Sequence, residues 1–254
     1  MSELLPLFPL STVLFPGMRL PLHLFEDRYR ALAAYLQGQP EPERRFGVIA
    51  IRKGREVGAD GITALYDVGC VTTVRQIAEH PDGRFDLATV GTDRFRLLRI
   101  DDSRPYFQGE VELLSERESR GGAATGGPVP GEPVPGKTDP ARAAPGQAAP
   151  GPDAEAFAVR RVQEGFRGYL NALADRGGGV ISVTDLPDEP VLLSYVVGAA
   201  MIIDLPERQS LLAAPTALDR LRLERSLLVR ETGMLRATTS RPAPDYAYQK
   251  FSQN

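Results

Sequence analysis

The only phosphate-binding pattern in the chain is GEPVPGKT at residues 131–138, which has the form GxxxxGK[ST]. In a functional P-loop, successive main-chain N–H groups converge on phosphate oxygens between a buried strand and a helix. Pro133 and Pro135 remove two of those donors. No apolar strand precedes the pattern, and Asp139-Pro140 interrupts any helix after it. We therefore expect no nucleotide site here and no cofactor.

Metal-binding or nucleophilic chemistry would depend on very few side chains. The chain has one cysteine, Cys70, and two histidines, His23 and His80. These three residues cannot supply a four-ligand Cys/His zinc site, and neither histidine has a Ser or Cys partner at a recognisable catalytic spacing. Cys70 lies in an apolar run, which is typical of a buried small residue rather than a nucleophile. The sequence predicts no catalytic residue and no metal site.

Composition and charge resemble those of an ordinary globular protein. Of 254 residues, 42% are hydrophobic and 25% are charged, and the formal net charge is −3. This balance provides no general attraction to nucleic acid or to an anionic membrane. The longest apolar run, residues 191–203, is too short to span a bilayer. The N-terminus lacks the basic residues and apolar run of a signal peptide. We expect a soluble, cytoplasmic protein with no membrane partner.

Glycine and proline divide the chain into parts. Residues 121–152 contain 8 Gly and 8 Pro, and no Leu, Ile or Phe. Such a segment cannot bury enough apolar area to offset the entropy lost on ordering it. We predict a disordered Gly/Pro/Ala-rich linker at 116–153. It separates a first unit, 1–115, from a second unit, 154–236, and a flexible tail follows at 237–254.

The first unit has the pattern of short strands with one early helix. Strands are predicted at 20–25, 46–51, 71–78, 84–90, 93–101 and 106–114. In the fifth of these, Phe95 and Leu97 share one face and Arg94 lies on the other. A helix is predicted from about Glu26 to Gln37, because apolar residues recur there at helical spacing. These elements favour a small, partly closed barrel.

The second unit has helical periodicity. Apolar residues recur every three or four positions between Phe157 and Leu173. Pro190 is predicted to begin a second helix that ends near Asp204, and Pro206 to begin a short third one. Thr216, followed three residues later by Asp219, resembles a capping box for a fourth helix that ends near Gly233. The whole chain is therefore predicted to be α+β.

Three blocks near the N-terminus carry a family resemblance. They are LPLFPL at 5–10, VLFPG at 13–17 and LPLHLFEDRYR at 20–30. Shorter matches follow in order, with FGV at 46–48, VGCV at 68–71, VGTDRFR at 90–96 and LPERQSLL at 205–212. Together they resemble the Lon N-terminal, or substrate-binding, domain family. The resemblance covers almost the whole chain outside the linker and the tail.

The resemblance implies both a fold and a function. The fold would be a PUA-like β pseudo-barrel with one early helix, followed by a C-terminal helical bundle. The function would be non-enzymatic binding of protein or peptide segments by an adaptor or substrate-recognition factor in proteolysis or protein quality control. A separate protease or chaperone is then an expected partner. An exposed apolar groove between barrel and helices is the expected site.

Within the third block, FEDRY at 25–29 is a predicted strand-to-helix junction whose acids favour a helix N-terminus. The simplest interpretation is that these residues specify the fold. A second interpretation is that Phe25, Arg28 and Tyr29 contact a peptide, and they are our candidate binding residues.

Catalytic modules of the kind found in full-length Lon proteases are not expected. Those proteins continue into an ATPase module and a Ser-Lys protease module, whereas this sequence resembles a stand-alone form. No serine lies in the Pro-Ser-Ala-Gly context of that nucleophile. The only lysines are Lys53, Lys137 and Lys250, and none lies in an apolar segment that would favour the neutral amine. We predict that the protein is not an enzyme.

RNA binding is the alternative function, because PUA-like folds also occur in RNA-binding proteins. Phosphate contacts need a basic stripe, but residues 1–115 carry a net charge of −2 and residues 154–254 a net charge of 0. The arginines that could form a local cluster are Arg94, Arg96 and Arg99 with Arg75 or Arg84. We expect no nucleic-acid partner, and the oligomeric state stays open.

Overall fold

A computed structural model describes residues 2–54, 62–115, 152–177 and 185–237, and within these ranges the fold is α+β. The strands are β1 (Ser2–Leu10), β2 (Arg19–Leu24), β3 (Arg45–Gly54), β4 (Ile62–Leu65), β5 (Val68–Glu79), β6 (Phe85–Asp101) and β7 (Gln108–Leu114). The helices are α1 (Asp27–Gln37), α2 (Pro152–Gly177), α3 (Pro190–Ala200), α4 (Leu205–Ala213) and α5 (Ala217–Ala237), with a short 3₁₀ helix at Glu41–Glu43.

Five strands close into a ring. Their order is β1-β7-β6-β5-β3, and a parallel pairing of β1 with β3 completes the circuit. The strands β2 and β4 lie outside the circuit, where β2 pairs with β6 and β4 with β3. Each of the five strands therefore has a paired neighbour on both sides along at least part of its length, and none of the five is a fully open edge. The predicted barrel followed by helices is confirmed.

The strand β1 is missing from the sequence-based prediction because Pro6 and Pro9 argue against a strand. The structure shows how they are accommodated: Ser2–Pro6 pair with β7, and the rest of the strand pairs with β3. Each half of β1 therefore has one side outside its ladder, where a missing N–H is tolerated.

The strand β6 combines two predicted strands into one of 17 residues. Its first half pairs with β2 and β5, and its second half pairs with β5 and β7. Phe95 is fully buried in the ring, and Arg94 on the other side of the strand is only 3% exposed. Arg94 lies against the helices instead of facing solvent, whereas Arg96 and Leu98 on the same face of β6 are exposed.

Two glycines make room for the Phe95 ring inside the barrel. A Cβ atom at Gly69 would lie 2.3 Å from Cζ of Phe95 and 2.6 Å from the main-chain oxygen of Val48. A Cβ atom at Gly47 would lie 2.8 Å from the same ring. Both positions therefore require the absence of a side chain because the ring occupies that volume.

The helices α3, α4 and α5 begin at side-chain caps. Thr216 accepts a hydrogen bond from the main-chain N of Asp219 over 3.0 Å, which confirms the capping predicted for α5. Asp204 accepts from the N of Glu207 in the same way and caps α4. The helix α3 ends at Ala200, four residues before its predicted end. A short extended segment, which ends at the cap residue Asp204, connects α3 to α4.

The barrel and the helices share a packed junction. Phe15 and Tyr195 belong to one buried cluster, with ring centroids 6.4 Å apart. Arg94 donates from Nη1 to the main-chain oxygens of Leu212 and Ala214. Gln209 donates from Nε2 to the main-chain oxygen of Val68 over 2.8 Å. Polar groups at the end of α4 and on β5 are therefore satisfied across the junction.

Two buried ionisable side chains, Arg220 and Glu224, lie within the bundle. Arg220 is fully buried, donates to the oxygens of Leu211 and Ser194, and its guanidinium lies 4.2 Å from the ring centroid of Tyr195. Glu224, one helical turn further along α5, is also fully buried, and no described residue hydrogen-bonds its carboxyl oxygens. Burial raises the pKa of Glu224 well above its usual range, although Arg220 opposes the shift.

Several predictions concern residues outside the described ranges. The phosphate-binding pattern at 131–138, most of the proposed linker at 116–153 and nearly all of the tail at 237–254 lie there. The predicted division into units therefore stays a prediction. Among the helices that the structure describes, none is long and apolar enough to cross a membrane.

Candidate functional site

The structure places Phe25, Arg28 and Tyr29 in different environments. Phe25 follows β2 and is 56% exposed. Tyr29 is buried in α1, and its ring centroid lies 4.2 Å from that of Phe8. Arg28 lies over the Tyr29 ring, 4.5 Å from the centroid, and its Nη2 is 3.1 Å from Oε2 of Glu26. Phe25 is thus available to a ligand, while Arg28 and Tyr29 pack within the strand-to-helix junction.

Phe25 continues an exposed row of β2 side chains. Arg19, Pro21 and His23 alternate with the more buried Leu20, Leu22 and Leu24. The antiparallel register of β2 with β6 places the exposed row beside Val90, Ala88 and Asp86 in turn. One outward face of β2 and β6 therefore carries apolar, basic and imidazole groups close together.

A cavity of about 490 Å³ lies on this face, and we call it the β2 groove. It is lined by Arg19, Pro21, Arg75, Ala88, Thr89 and Val90. Pro21, Ala88 and Val90 give it an apolar surface, and the two arginines give it positive charge with no acidic residue among the lining side chains. The groove is therefore suited to an apolar segment that also carries a carboxylate.

At the other end of β2, two histidines meet one carboxylate. Nδ1 of His23 lies 2.6 Å from Oδ1 of Asp86, and Nε2 of His80 lies 2.7 Å from Oδ2. Hydrogen bonds from His23 and then from His80 hold the pKa of Asp86 below its usual range. The three side chains are partly exposed, at 48%, 39% and 49% for His23, His80 and Asp86. We call this arrangement the His23–Asp86–His80 cluster.

The turn between β5 and β6 supports this cluster. His80 and Arg84 close the turn through a main-chain hydrogen bond of 2.8 Å, and Gly83 within it has φ of +77°. Arg30 of α1 donates from Nε to the oxygen of Gly83 over 2.8 Å. The turn, whose Pro-Asp-Gly sequence at 81–83 is typical of turns, is therefore tied to a helix.

The cleft at the junction of barrel and bundle differs from the apolar groove that the sequence led us to expect there. This cleft has a volume of about 300 Å³ and a mainly polar surface. Its lining includes Arg94, Arg96 and Glu112 from the barrel with Pro215 and Thr216 from the helical part. Of these two cavities, the β2 groove has the more apolar surface.

Three of the arginines that were candidates for an RNA-binding cluster, Arg94, Arg96 and Arg99, have partners elsewhere. Arg94 is buried against main-chain oxygens at the junction. Arg96 pairs with Glu112 at 3.4 Å, and Arg99 pairs with Glu110 at 3.6 Å, across the β6–β7 ladder. Their charges are neutralised locally, so these side chains do not form a free basic stripe.

Cys70 is a core residue, as predicted. Its side chain is fully buried in the barrel. Burial raises the pKa of the Cys70 thiol far above its usual range, so the reactive thiolate is scarce. This thiol is therefore a poor nucleophile and a poor metal ligand.

The similarity of this chain to known proteins extends over both the barrel and the helices. A sequence profile of the ATP-dependent protease La (LON) substrate-binding domain matches residues 4–230, from β1 to α5. The chain belongs to the Lon substrate-binding domain family. The resemblance noted in the sequence is thereby confirmed, and this family corresponds to the substrate-binding part of Lon rather than to its protease part.

Full-length relatives match this chain over their substrate-binding portion. Lon protease 2 of Syntrophobacter fumaroxidans is 25% identical over 218 residues, which are 85% of this chain and 23% of that protein. The Lon protease of Escherichia coli K12 is 22% identical over 237 residues, which are 91% of this chain and 25% of that protein. The chain thus spans about a quarter of the length of these curated relatives.

Two solved structures of Lon N-terminal domains share the fold. A Lon N-terminal domain protein from Xanthomonas campestris superimposes with a TM-score of 0.51 at 21% identity, covering 89% of this chain and 98% of that one. The N-terminal domain of the Mycobacterium avium complex Lon protease gives a TM-score of 0.54 at 16% identity, covering 91% and 98%. These likenesses show a shared α+β architecture.

Sequence reasoning did not identify the β2 groove or the histidine cluster of this Lon-family domain. The prediction of no metal site counted Cys and His only, and so it omitted Asp86. A usable signal was present: the alternation of β2 exposes Arg19, Pro21 and His23 together. The missing information was the register that pairs His23 with Asp86 across 63 residues of chain.

Proposed function

We propose that this protein is a non-enzymatic module that binds protein or peptide segments in the β2 groove. The observation that carries the proposal is the chemistry of that groove, which combines an apolar surface with two arginines. The exposed ring of Phe25 continues the same outward row of β2 side chains beyond the groove. Membership of the Lon substrate-binding domain family supports it. The expected ligand is an extended segment with apolar side chains and a carboxylate, either a side chain or a chain terminus.

Recognition in this proposal uses side chains rather than strand addition. Among the described strands β2 pairs only with β6, so its other side is an edge. Pro21, in the middle of β2, lacks the N–H that an added strand would need. A ligand therefore gains affinity by burying apolar groups against Pro21, Ala88 and Val90, and by pairing a carboxylate with Arg19 or Arg75.

The candidate residues of the FEDRY block have two roles in this proposal. Phe25 contacts the ligand directly, because its ring is exposed beside the His23 ring, with centroids 6.5 Å apart. Arg28 and Tyr29 act by position: their stacking, and the packing of Tyr29 on Phe8, fix the direction in which the chain leaves β2.

The absence of catalysis is part of the proposal and rests on the described side chains. Both histidines bond the same carboxylate, and the single thiol is buried. A captured segment would therefore pass to another protein, and we propose a separate protease or chaperone as that partner. A cytoplasmic location fits the lone, reduced cysteine.

Binding of unfolded chains tests the proposal. Fluorescence anisotropy with labelled, carboxymethylated unfolded proteins and their peptides should give saturable binding at tens of micromolar or below, on the order of −6 kcal/mol. Ala88→Glu should abolish this binding, because the new side chain fills the groove and its negative charge repels the carboxylate of the ligand. Ala156→Glu, at an exposed alanine of α2, is the matched control and should bind normally. No binding by the wild type, or equal binding by both variants, would remove the basis of the proposal.

A further inference from the structure

We propose that the His23–Asp86–His80 cluster is a binding site for a divalent transition-metal ion of the Zn²⁺ type. This inference is independent of the peptide-binding function proposed above. It rests on the side chains of the cluster, the strands that hold them and the chemistry of imidazole and carboxylate ligands.

The ligand atoms are already close together. One donor atom from each of His23, His80 and Asp86 lies within 4.8 Å of the other two. Nδ1 of His23 and Nε2 of His80 both point at the Asp86 carboxylate, one at each oxygen. In a tetrahedral zinc site, ligand atoms about 2.0–2.2 Å from the ion lie about 3.3–3.5 Å from one another. An ion can therefore enter with small side-chain rotations.

The backbone that carries these ligands is held from several sides. His23 and Asp86 are direct partners in the β2–β6 ladder, and Ala78 of β5 pairs with Asp86 on the other side. His80 follows β5 in the closed turn that Arg30 fixes to α1. Three ligands on paired strands and a tied turn lose little freedom when an ion binds.

The donor set is typical of borderline metal ions. Two imidazoles and one carboxylate suit Zn²⁺, Ni²⁺, Cu²⁺ or Fe²⁺, and they are a poor choice for Mg²⁺ or Ca²⁺, which prefer oxygen ligands. Three protein ligands at a half-exposed surface leave coordination positions for water or for a fourth ligand from a bound molecule. The chemistry therefore points to an open, exchangeable site rather than a closed structural one.

Proton positions are compatible with metal binding. Nη1 of Arg84 lies 3.3 Å from Nε2 of His23, so Nε2 accepts a hydrogen bond and Nδ1 carries the proton that Asp86 accepts. On binding, the proton of each ring moves to its other nitrogen, and the ion replaces both hydrogen bonds to Asp86. Arg84 is half exposed and also bonds Asp82, so it can turn away from His23.

Titration of the full-length chain with Zn²⁺ tests the site. The protein must carry no histidine tag, since the chain itself has only 2 histidines. Isothermal titration should show one Zn²⁺ per chain. His80→Gln and Asp86→Asn should each weaken binding by roughly tenfold or more. Asp101→Asn, the same change at the other end of β6, should leave it unaltered.

A spectroscopic measurement keeps the test decisive if a variant fails to fold. In the wild type, Zn²⁺ should shift the ring ¹⁵N resonances of both histidines together, and Co²⁺ should give the intense visible absorption of a four-coordinate ion. No heat up to about 1 mM free Zn²⁺, equivalent to about −4 kcal/mol, would overturn the proposal. A shift of one histidine alone, or unchanged affinity in Asp86→Asn, would overturn it as well.

Discussion

Arg94 in β6 donates from Nη1 to the main-chain oxygen of Ala214 over 2.7 Å, joining the barrel to the end of α4. The same nitrogen reaches the oxygen of Leu212 at 2.8 Å. These oxygens belong to the end of a helix, where main-chain acceptors lack partners within the helix. One cation on the barrel therefore satisfies helix-end acceptors in the bundle and fixes the two parts against each other.

Removal of this cation should destabilise the protein. Arg94→Met keeps much of the volume but leaves buried oxygens unpaired, so we expect the free energy of unfolding to fall by about 2–3 kcal/mol. Arg96→Met is the matched control: Arg96 pairs with Glu112 at the surface and should contribute less than about 1 kcal/mol. Urea unfolding followed by circular dichroism measures both, and equal losses would contradict the junction role of Arg94.

Glu224 should make stability depend on pH. Its folded-state pKa is raised by burial, so folding is favoured while the group is protonated in both states. Stability is then lost as the pH rises from the pKa of Glu224 in the unfolded chain, near the ordinary 4.5, through its raised pKa in the folded protein. Glu224→Gln removes this loss. We expect the melting temperature of this variant to be higher than that of the wild type at pH 8 and close to it at pH 4.5.

Glu207 offers a control of opposite sign. A hydrogen bond from Arg230 holds the pKa of Glu207 below its usual range. The stability that Glu207 contributes is therefore present at pH values above its pKa in the unfolded chain, and it disappears as the pH falls through its pKa in the folded protein. Glu207→Gln should therefore flatten the acid side of the stability profile and leave the alkaline side alone. A profile for Glu224→Gln parallel to that of the wild type would contradict the burial argument.

Gly69 should not tolerate a side chain. Gly69→Ala places a Cβ 2.3 Å from the Phe95 ring and 2.6 Å from a main-chain oxygen, so overpacking should lower the free energy of unfolding by about 1–3 kcal/mol. In Gly168→Ala of α2, the added Cβ meets nothing within 4 Å, and the substitution should raise the free energy of unfolding by about 0.5–1 kcal/mol. Thermal unfolding of the pair measures the contrast, and a neutral Gly69→Ala would show that Phe95 can move.

Phe25 should contribute to peptide affinity. Phe25→Ala removes an exposed ring in the same outward row as the β2 groove, and we expect the dissociation constant for unfolded-protein peptides to rise about tenfold. Phe157→Ala is matched in type and exposure, at 54% against 56%, but lies on α2, and it should bind like the wild type. Anisotropy titrations of the two variants distinguish a specific contact at Phe25 from non-specific hydrophobic binding to exposed aromatic rings.

Features that depend on neighbours in the chain were predictable from the sequence. Thr216 and Asp219 are three residues apart, and their capping of α5 follows from local geometry. The helix that begins at Asp27 and the turn before Arg84 are similar cases, because local residue types determine both.

Features that depend on distant pairing were not predictable. The burial of Arg94 requires knowledge that α4 docks on β6, which no pattern within β6 records. Likewise, His23 and Asp86 become neighbours only through the register of β2 on β6. The FEDRY block illustrates the same limit, since periodicity alone does not separate the exposed Phe25 from the buried Tyr29.

Closure of the ring through β1 sets an order of events during synthesis. Ser2 pairs with Glu112, so β1 cannot complete its ladder with β7 until that strand has been synthesised. Contacts this far apart in the chain slow folding, typically to milliseconds or seconds. Until then the half of β1 that pairs with β7 is an unpaired segment of the nascent chain. The protein is therefore a candidate client for the chaperones that receive such chains.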